Sequence, residues 1–155
     1  MSRLPVVIGI GNLLRRDDGA GILAARQLRT ALPSAVSVYE SAADVSELLE
    51  LFSRADHVIL IDAVSGIPDG DILYRQSPDL ALPKRAASSS HMLSLAQILD
   101  LAHALAVQPR TVSVYGIGGS DFGIGEGVSD SVARGIEAVV KQICAALQRT
   151  DSHVQ

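Results

Sequence analysis

Residues 6–21 read VVIGIGNLLRRDDGAG, and this stretch decides the predicted fold. It begins with an apolar, β-branched run that is typical of a buried parallel strand. Two glycines then allow a tight turn, and Asp17 and Asp18 begin an amphipathic helix that we expect to end near residue 31. Ligands of open α/β sheets bind beyond the carboxyl ends of the strands. We therefore expect the acidic side chains that follow this strand to lie at a ligand-binding site.

The two adjacent aspartates have different predicted roles. One carboxylate is enough to cap a helix N-terminus, and Asp17 is the better placed of the two to accept a backbone N–H two or three residues later. A cap does not need Asp18, which we therefore expect to face the site.

The composition predicts one domain with an aliphatic core. The chain has 155 residues, of which 48% are apolar and only 3% aromatic, which suits a sheet that is covered on both faces. We expect residues 1–149 to form this domain and residues 150–155 a C-terminal tail. Cys144 is the only cysteine, so it cannot form an intramolecular disulfide and is expected to pack as a small apolar side chain.

Charge and hydropathy narrow the possible partners and location. The net charge of −4 argues against binding to nucleic acid or to an anionic membrane surface. No stretch is long and apolar enough to be a signal peptide or a membrane span. The sequence therefore predicts a cytoplasmic protein, which we expect to be a monomer.

Apolar strands and amphipathic helices alternate along the rest of the chain. Strands are predicted at residues 36–40, 58–62 and 111–115, and helices at 45–52, from about His91 to before Pro109, and at 129–148. A short run at Ile72 follows a Pro-Asp-Gly turn too soon for a helical crossover, which indicates an antiparallel edge strand. The pattern predicts an α/β fold: a single three-layer sandwich with a mostly parallel twisted sheet and helices on both faces.

Three side chains form the candidate site. Asp18, Asp62 and His91 lie at strand ends or in the segments that follow them, and parallel winding brings these positions to one edge of the sheet. Asp62 has an alternative structural role, which is to fix the turn that follows its strand. His57 lies at the opposite end of its strand and His103 lies late in a helix, so neither is expected to meet the aspartates.

Two carboxylates and one imidazole form a set of oxygen and nitrogen donors. Such a set suits nickel, zinc, cobalt or manganese, and the absence of a thiolate removes a preference for zinc. Three protein ligands also leave coordination positions open for a substrate, or for a metal that a substrate carries.

Two other types of site are less consistent with the sequence. A dinucleotide site would use the first glycines and Glu40 at the end of the second strand, but Leu14 occupies the third glycine position of that motif. A phospho-accepting receiver domain would need the acidic pair directly after the first strand and a lysine after the last strand. The glycine-rich loop at residues 116–127 either cradles an anion or forms a mobile flap at the rim of the site.

Four motifs, in this order, resemble those of the hydrogenase maturation endopeptidases. They are GIGNLLRRDDGAG at residues 9–21, IDAV at 61–64, the spacing of Ser89, His91 and Leu95, and the late glycine-rich run at 116–129. The resemblance implies an α/β sandwich and an endopeptidase that removes a C-terminal extension from the large-subunit precursor of nickel–iron hydrogenase. It also implies that Asp18, Asp62 and His91 contact nickel, which the precursor carries, and that these residues form the catalytic site.

The chain departs from the family pattern at two places. Residues 40–43 read ESAA where many members have Asp-Gly-Gly-Thr, and Gly118 and Gly119 stand where many have an acidic or amide residue followed by proline. The alternative to a protease is a chaperone that checks nickel loading of the same precursor without cutting it.

Overall fold

The computed structural model describes residues 4–81 and 94–152. In chain order the elements are β1 (Val6–Ile10), a short 3-10 helix (Arg16–Gly19), α1 (Ala20–Ala31), β2 (Ser37–Ser41), α2 (Val45–Ser53), β3 (His57–Val64), β4 (Ile72–Gln76), α3 (Leu95–Ala104), β5 (Thr111–Gly118) and α4 (Asp130–Ser152).

The strands form one sheet in the order β2-β1-β3-β5-β4. The first four of these are mutually parallel, and β4 runs antiparallel to β5 at the edge. The prediction of a mostly parallel sheet with an antiparallel edge strand at Ile72 is therefore confirmed.

Alternate residues of the central strands pack on opposite faces of the sheet, as the two-residue period of a strand requires. Val7, Ile59 and Ile61 face α1 and α4, whereas Ile8 and Leu60 face α2 and α3. Each face is thus covered by two helices, which confirms the three-layer sandwich. Since both faces are buried, the central strands have no polar side, and this explains why their sequences are continuously apolar.

Several element boundaries differ from the predicted ones. β3 continues to Val64, so Asp62 lies within the strand rather than at its end, because β5 is also longer and pairs with it as far as Gly118. α2 begins as predicted, and Asp44 caps it by accepting the N–H of Glu47 at 2.8 Å.

The third helix begins later than predicted. Ser94 caps α3 in a reciprocal capping box with Gln97, and the helix begins at Leu95 rather than near His91. His91 itself lies outside the described residues. α4 continues to Ser152, so it includes the first three residues of the predicted tail. None of the helices in the described parts of the chain is long and apolar enough to cross a membrane.

Candidate active site

The start of α1 lies directly against the carboxyl ends of β1 and β3. A side chain at Gly21 would collide with the carbonyl oxygens of Ile10 and Ile61, so only glycine permits this close approach. The 3-10 helix that carries Asp18 contacts β3, the strand that carries Asp62. The fold thereby brings two of the three predicted site residues to one edge of the sheet.

Both carboxylates are almost completely removed from solvent. Asp18 and Asp62 are each 3% exposed. The main chain of Asp18 is fixed by its N–H, which donates to the carbonyl of Arg15, and by its carbonyl, which accepts from Asn12. Two carboxylates therefore lie buried near the carboxyl ends of the central strands, which is where ligands of open α/β sheets bind.

The third predicted ligand, His91, lies outside the described residues. Within residues 4–81 and 94–152, no group of three histidine, cysteine or acidic side chains is arranged to hold a metal ion. The complete set of Asp18, Asp62 and His91 therefore stays a prediction.

Asp17 has a role that its local sequence does not reveal. The predicted helix cap is wrong, because Gly19 is the N-cap of α1 and the carboxylate of Asp17 turns to the loop that follows β5. Oδ2 accepts the backbone N–H groups of Ser120 and Asp121 at 3.3 and 3.0 Å, and Oδ1 accepts that of Ser129 at 2.9 Å. Asp17 is completely buried, so these charge-assisted bonds form away from water.

The glycine-rich loop after β5 is hydrogen bonded to the segment before the 3-10 helix along much of its length. The guanidinium of Arg15 donates from Nε and Nη2 to the carbonyl of Phe122 at 3.1 and 2.9 Å. The main chain of Gly125 donates to Leu14 and accepts from Arg16. This anchoring argues against the predicted mobile flap, and the anion that the loop cradles is the carboxylate of Asp17.

The two described histidines lie away from the aspartates. His57 begins β3 at the amino edge of the sheet, where its Nε2 is 2.9 Å from Oγ of the buried Ser113. His103 is exposed near the end of α3. Burial lowers the pKa of His57, which favours the neutral imidazole in the folded chain.

The lowered pKa of His57 predicts a pH-dependent stability. As the pH falls below the unfolded pKa of about 6.5, the unfolded chain takes up a proton that folded His57 resists, so the free energy of unfolding should fall. Above that pH both states are neutral at this residue and the effect should be absent. Scanning calorimetry from about pH 8 to about pH 5.5 should therefore show a smaller decrease in Tm for His57→Gln than for the wild-type chain. His103→Gln is the control, and an equal decrease in all three proteins would contradict the prediction.

Comparison with known proteins identifies the family. Residues 23–146 match the family model HycI, described as hydrogenase maturation protease. The chain belongs to the hydrogenase maturation protease family. The protease is similar to the hydrogenase 2 maturation protease of Escherichia coli K12, with 26% identity over 149 residues that cover 94% of this chain and 91% of the relative. It is also 27% identical to the hydrogenase expression/formation protein HupD of Thiocapsa roseopersicina, over 96% of this chain and 73% of that protein.

Solved structures of maturation proteases have the same fold. The hydrogenase maturating endopeptidase HybD of E. coli superposes with a TM-score of 0.78 at 23% identity, over 95% of this chain and 93% of that one. The nickel–iron hydrogenase maturation protease HybD of Thermococcus kodakarensis gives a TM-score of 0.71 at 22% identity, over 90% and 96% of the two chains. Family and fold together confirm the predictions of an endopeptidase and of an α/β sandwich.

One departure of this protease from the family pattern has a packing explanation. A side chain at Gly119 would begin only 3.0 Å from Cβ of Asp17, closer than most such contacts in proteins. With a larger residue here, Asp17 or the loop would have to shift by a few tenths of an ångström. Gly119 and Asp17 are therefore matched to each other, although 102 positions separate them in the sequence.

The other departure from the family pattern is at residues 40–43. The first residue of this segment, Glu40, belongs to a cluster of ion pairs on the surface. Glu40 accepts from Nε of Arg26 at 3.1 Å and from Nη1 of Arg29 at 2.9 Å, both on α1. Burial raises the pKa of Glu40, but the hydrogen bonds from the two arginines outweigh it and hold the pKa below its usual range. Glu40 thus joins β2 to α1, and this role argues against its binding a ribose in a dinucleotide site.

Proposed function

We propose that this protease removes the C-terminal extension of the large-subunit precursor of a nickel–iron hydrogenase after nickel has been inserted. Nickel is part of the substrate in this proposal, and Asp18, Asp62 and His91 are the residues that recognise it. The enzyme acts as a monomer on a protein substrate.

The observation that carries the proposal is the burial of Asp18 and Asp62 at one edge of the sheet. Each is 3% exposed, and the segment that holds Asp18 contacts the strand that holds Asp62. Carboxylate oxygens are suitable ligands for a divalent cation, and an imidazole would complete a set that binds nickel well. Family membership supports hydrogenase maturation as the process, and the relatives' names support proteolysis as the reaction.

A divalent metal next to a peptide bond would polarise the scissile carbonyl or activate a water molecule for attack. Either route requires proton transfer to the departing amine. In this proposal the carboxylates of Asp18 and Asp62 orient the precursor through its nickel, and one of them assists the proton transfer.

The proposed function is tested by incubating the purified chain with nickel-loaded precursor and with nickel-free precursor. We expect the nickel-loaded precursor to be shortened by one C-terminal peptide and the nickel-free precursor to stay intact. A chain that binds the loaded precursor but leaves its mass unchanged would be the chaperone instead. Cleavage of both forms at equal rates would contradict nickel recognition.

The metal content of the protein provides a separate prediction. Two carboxylates and one imidazole, with no thiolate, should bind free divalent metal only weakly, whereas a zinc peptidase retains its ion through dialysis. Metal analysis of the dialysed protein should therefore find far less than one metal ion per chain. One tightly held zinc per chain, with activity lost on chelation and restored by zinc, would contradict a substrate-borne metal.

A further inference from the structure

A pocket of about 400 Å³ opens between the second half of α4 and the tyrosines of β4 and β5. Tyr74 and Tyr115 are directly opposite each other in the antiparallel pair of β4 and β5. The volume falls within the range of about 300–1,000 Å³ that is typical of sites for small molecules. The lining residues are Tyr74, Tyr115, Gln142, Ala145, Ala146 and Arg149.

The pocket is separate from the candidate active site. α4 begins beside Asp17 at the carboxyl edge of the sheet, where the N–H of Ser129 donates to the Asp17 carboxylate. Gln142 comes twelve residues after Asp130, which is about 18 Å along a helix axis. The pocket therefore lies towards the far end of α4, away from Asp18.

The hydroxyl of Tyr115 is the first polar group of the pocket. Tyr115 is only 7% exposed, and its hydroxyl has no hydrogen-bond partner within residues 4–81 and 94–152. Buried tyrosine hydroxyls usually have one. Burial raises the pKa of this phenol, and Tyr74 adds to the effect. The hydroxyl therefore stays protonated at neutral pH, and it is a donor that a molecule bound in the pocket could use.

Arg149 gives the pocket its positive charge. Its guanidinium lies close enough to Tyr115 to oppose the rise in the pKa of the phenol. Arg149 makes no ion pair or hydrogen bond with any residue in the described parts of the chain, and none of the six lining residues is acidic. A guanidinium presents a fork of N–H donors that matches the two oxygens of a carboxylate. The polar groups of the pocket therefore favour a carboxylate.

The remaining walls of the pocket suit an aromatic ring. The ring centroids of Tyr74 and Tyr115 are 4.9 Å apart, and their planes are tilted by 52°. Tyr74 is 43% exposed, so part of its ring is available to a further ring. Aromatic rings pack on one another in offset or edge-to-face arrangements. Ala145 and Ala146 add only methyl groups to the wall, which leaves room for a flat molecule.

We propose that this pocket binds a small aromatic carboxylate. The carboxylate accepts hydrogen bonds from the hydroxyl of Tyr115 and the guanidinium of Arg149, and the ring of the ligand packs against Tyr74. Binding at this site does not depend on the proposed function, because it involves neither Asp18 nor Asp62.

The test is an NMR titration of the isotope-labelled chain with 2-naphthoate, compared with its neutral amide, 2-naphthamide. For a ligand of this size we expect a Kd on the order of 1 mM or tighter for the acid, and binding of the amide about tenfold weaker or more. The shifted backbone amides should belong to β4 and to the second half of α4.

Two substitutions assign the binding to the pocket. Tyr115→Phe and Arg149→Gln should each weaken the binding of 2-naphthoate about tenfold, because each removes a hydrogen bond to the carboxylate. Neither should lower Tm appreciably, since neither group is hydrogen bonded within the described parts of the chain. The matched controls are Tyr39→Phe on β2, at the opposite edge of the sheet, and Arg134→Gln on α4, where the guanidinium already donates to Ser131. Both should bind like the wild-type chain.

Three results would overturn the inference. The first is the absence of saturable shifts for the wild-type chain at about 10 mM 2-naphthoate. The second is equal binding of the acid and the amide, because the guanidinium would then contribute nothing. The third is wild-type affinity in Arg149→Gln, or in folded Tyr115→Phe, because the ligand would then bind elsewhere. A lower Tm of Tyr115→Phe with unchanged affinity would assign its hydroxyl a structural role instead.

Discussion

Asp62→Asn and Asp18→Asn are each expected to lower the rate of precursor processing by about a hundredfold or more. Asparagine keeps the shape of the side chain but removes the negative charge that favours a cation. Even residues that only support metal ligands typically contribute about 10- to 100-fold to affinity or activity, and a ligand should contribute at least as much. The measurement is the initial rate of appearance of the shortened large subunit at a fixed, saturating precursor concentration.

Two controls keep this prediction specific. Asp100→Asn changes an exposed carboxylate on α3 and should process at the wild-type rate, which excludes an effect of net charge. Circular dichroism and Tm of each variant show whether it is folded. Wild-type processing by folded Asp62→Asn or Asp18→Asn protein would remove that residue from the site. The same experiment on His91→Ala, with His103→Ala as its control, tests the third predicted ligand.

Asp17→Ala is expected to lower the free energy of unfolding, whereas Asp18→Asn is expected to lower the processing rate. The substitution removes the acceptor of three backbone N–H groups, and hydrogen bonds to a charged group contribute about 1.5–3 kcal/mol each. Some of these N–H groups become hydrated once the loop is released, so we expect a net loss of about 3 kcal/mol. For a chain of this length, that loss corresponds to a Tm lower by about 6–12 °C.

Asp17→Asn distinguishes this role from that of an ordinary helix cap. A cap tolerates asparagine well, but here the amide would direct an NH₂ group at backbone N–H donors on one side of the carboxylate. Its Tm should therefore lie between those of Asp17→Ala and the wild-type chain. A wild-type Tm for Asp17→Asn would show that one accepting oxygen is enough and that the charge contributes nothing. Asp100→Ala, which removes an exposed carboxylate, is the control and should leave Tm nearly unchanged.

The architecture could be predicted from the sequence because each of its causes is local. Continuous apolar strands indicate a sheet that is covered on both faces, and the short connection after β3 leaves no room for a crossover helix before Ile72. Strand lengths were less predictable. β3 continues for two residues beyond its predicted end at Asp62, and β5 for three beyond Tyr115, because pairing between Asp62–Val64 and residues 116–118 extends them. A strand's own sequence does not reveal how far its neighbour continues.

Only the part of the site that follows from the topology of the sheet could be predicted from the sequence. Parallel winding is enough to bring Asp18 and Asp62 to one edge. The role of Asp17 depends on N–H groups that lie more than 100 positions away, and no local pattern contains that information. One signal was present in retrospect: a glycine at position 119, where a side chain would meet Asp17. Arg15 was missed for the same reason, because its acceptor is a carbonyl in the distant loop.

Nickel X-ray absorption spectroscopy tests most directly whether Asp18 and Asp62 recognise nickel in the precursor. The precursor would carry a substitution at the scissile bond that blocks cleavage, so that its complex with the protease persists. On saturation with the wild-type chain, the spectrum should gain oxygen or nitrogen ligands around nickel, and this gain should decrease with Asp18→Asn or Asp62→Asn. A nickel spectrum that is the same in the free precursor and in its complex with the wild-type chain would contradict the account.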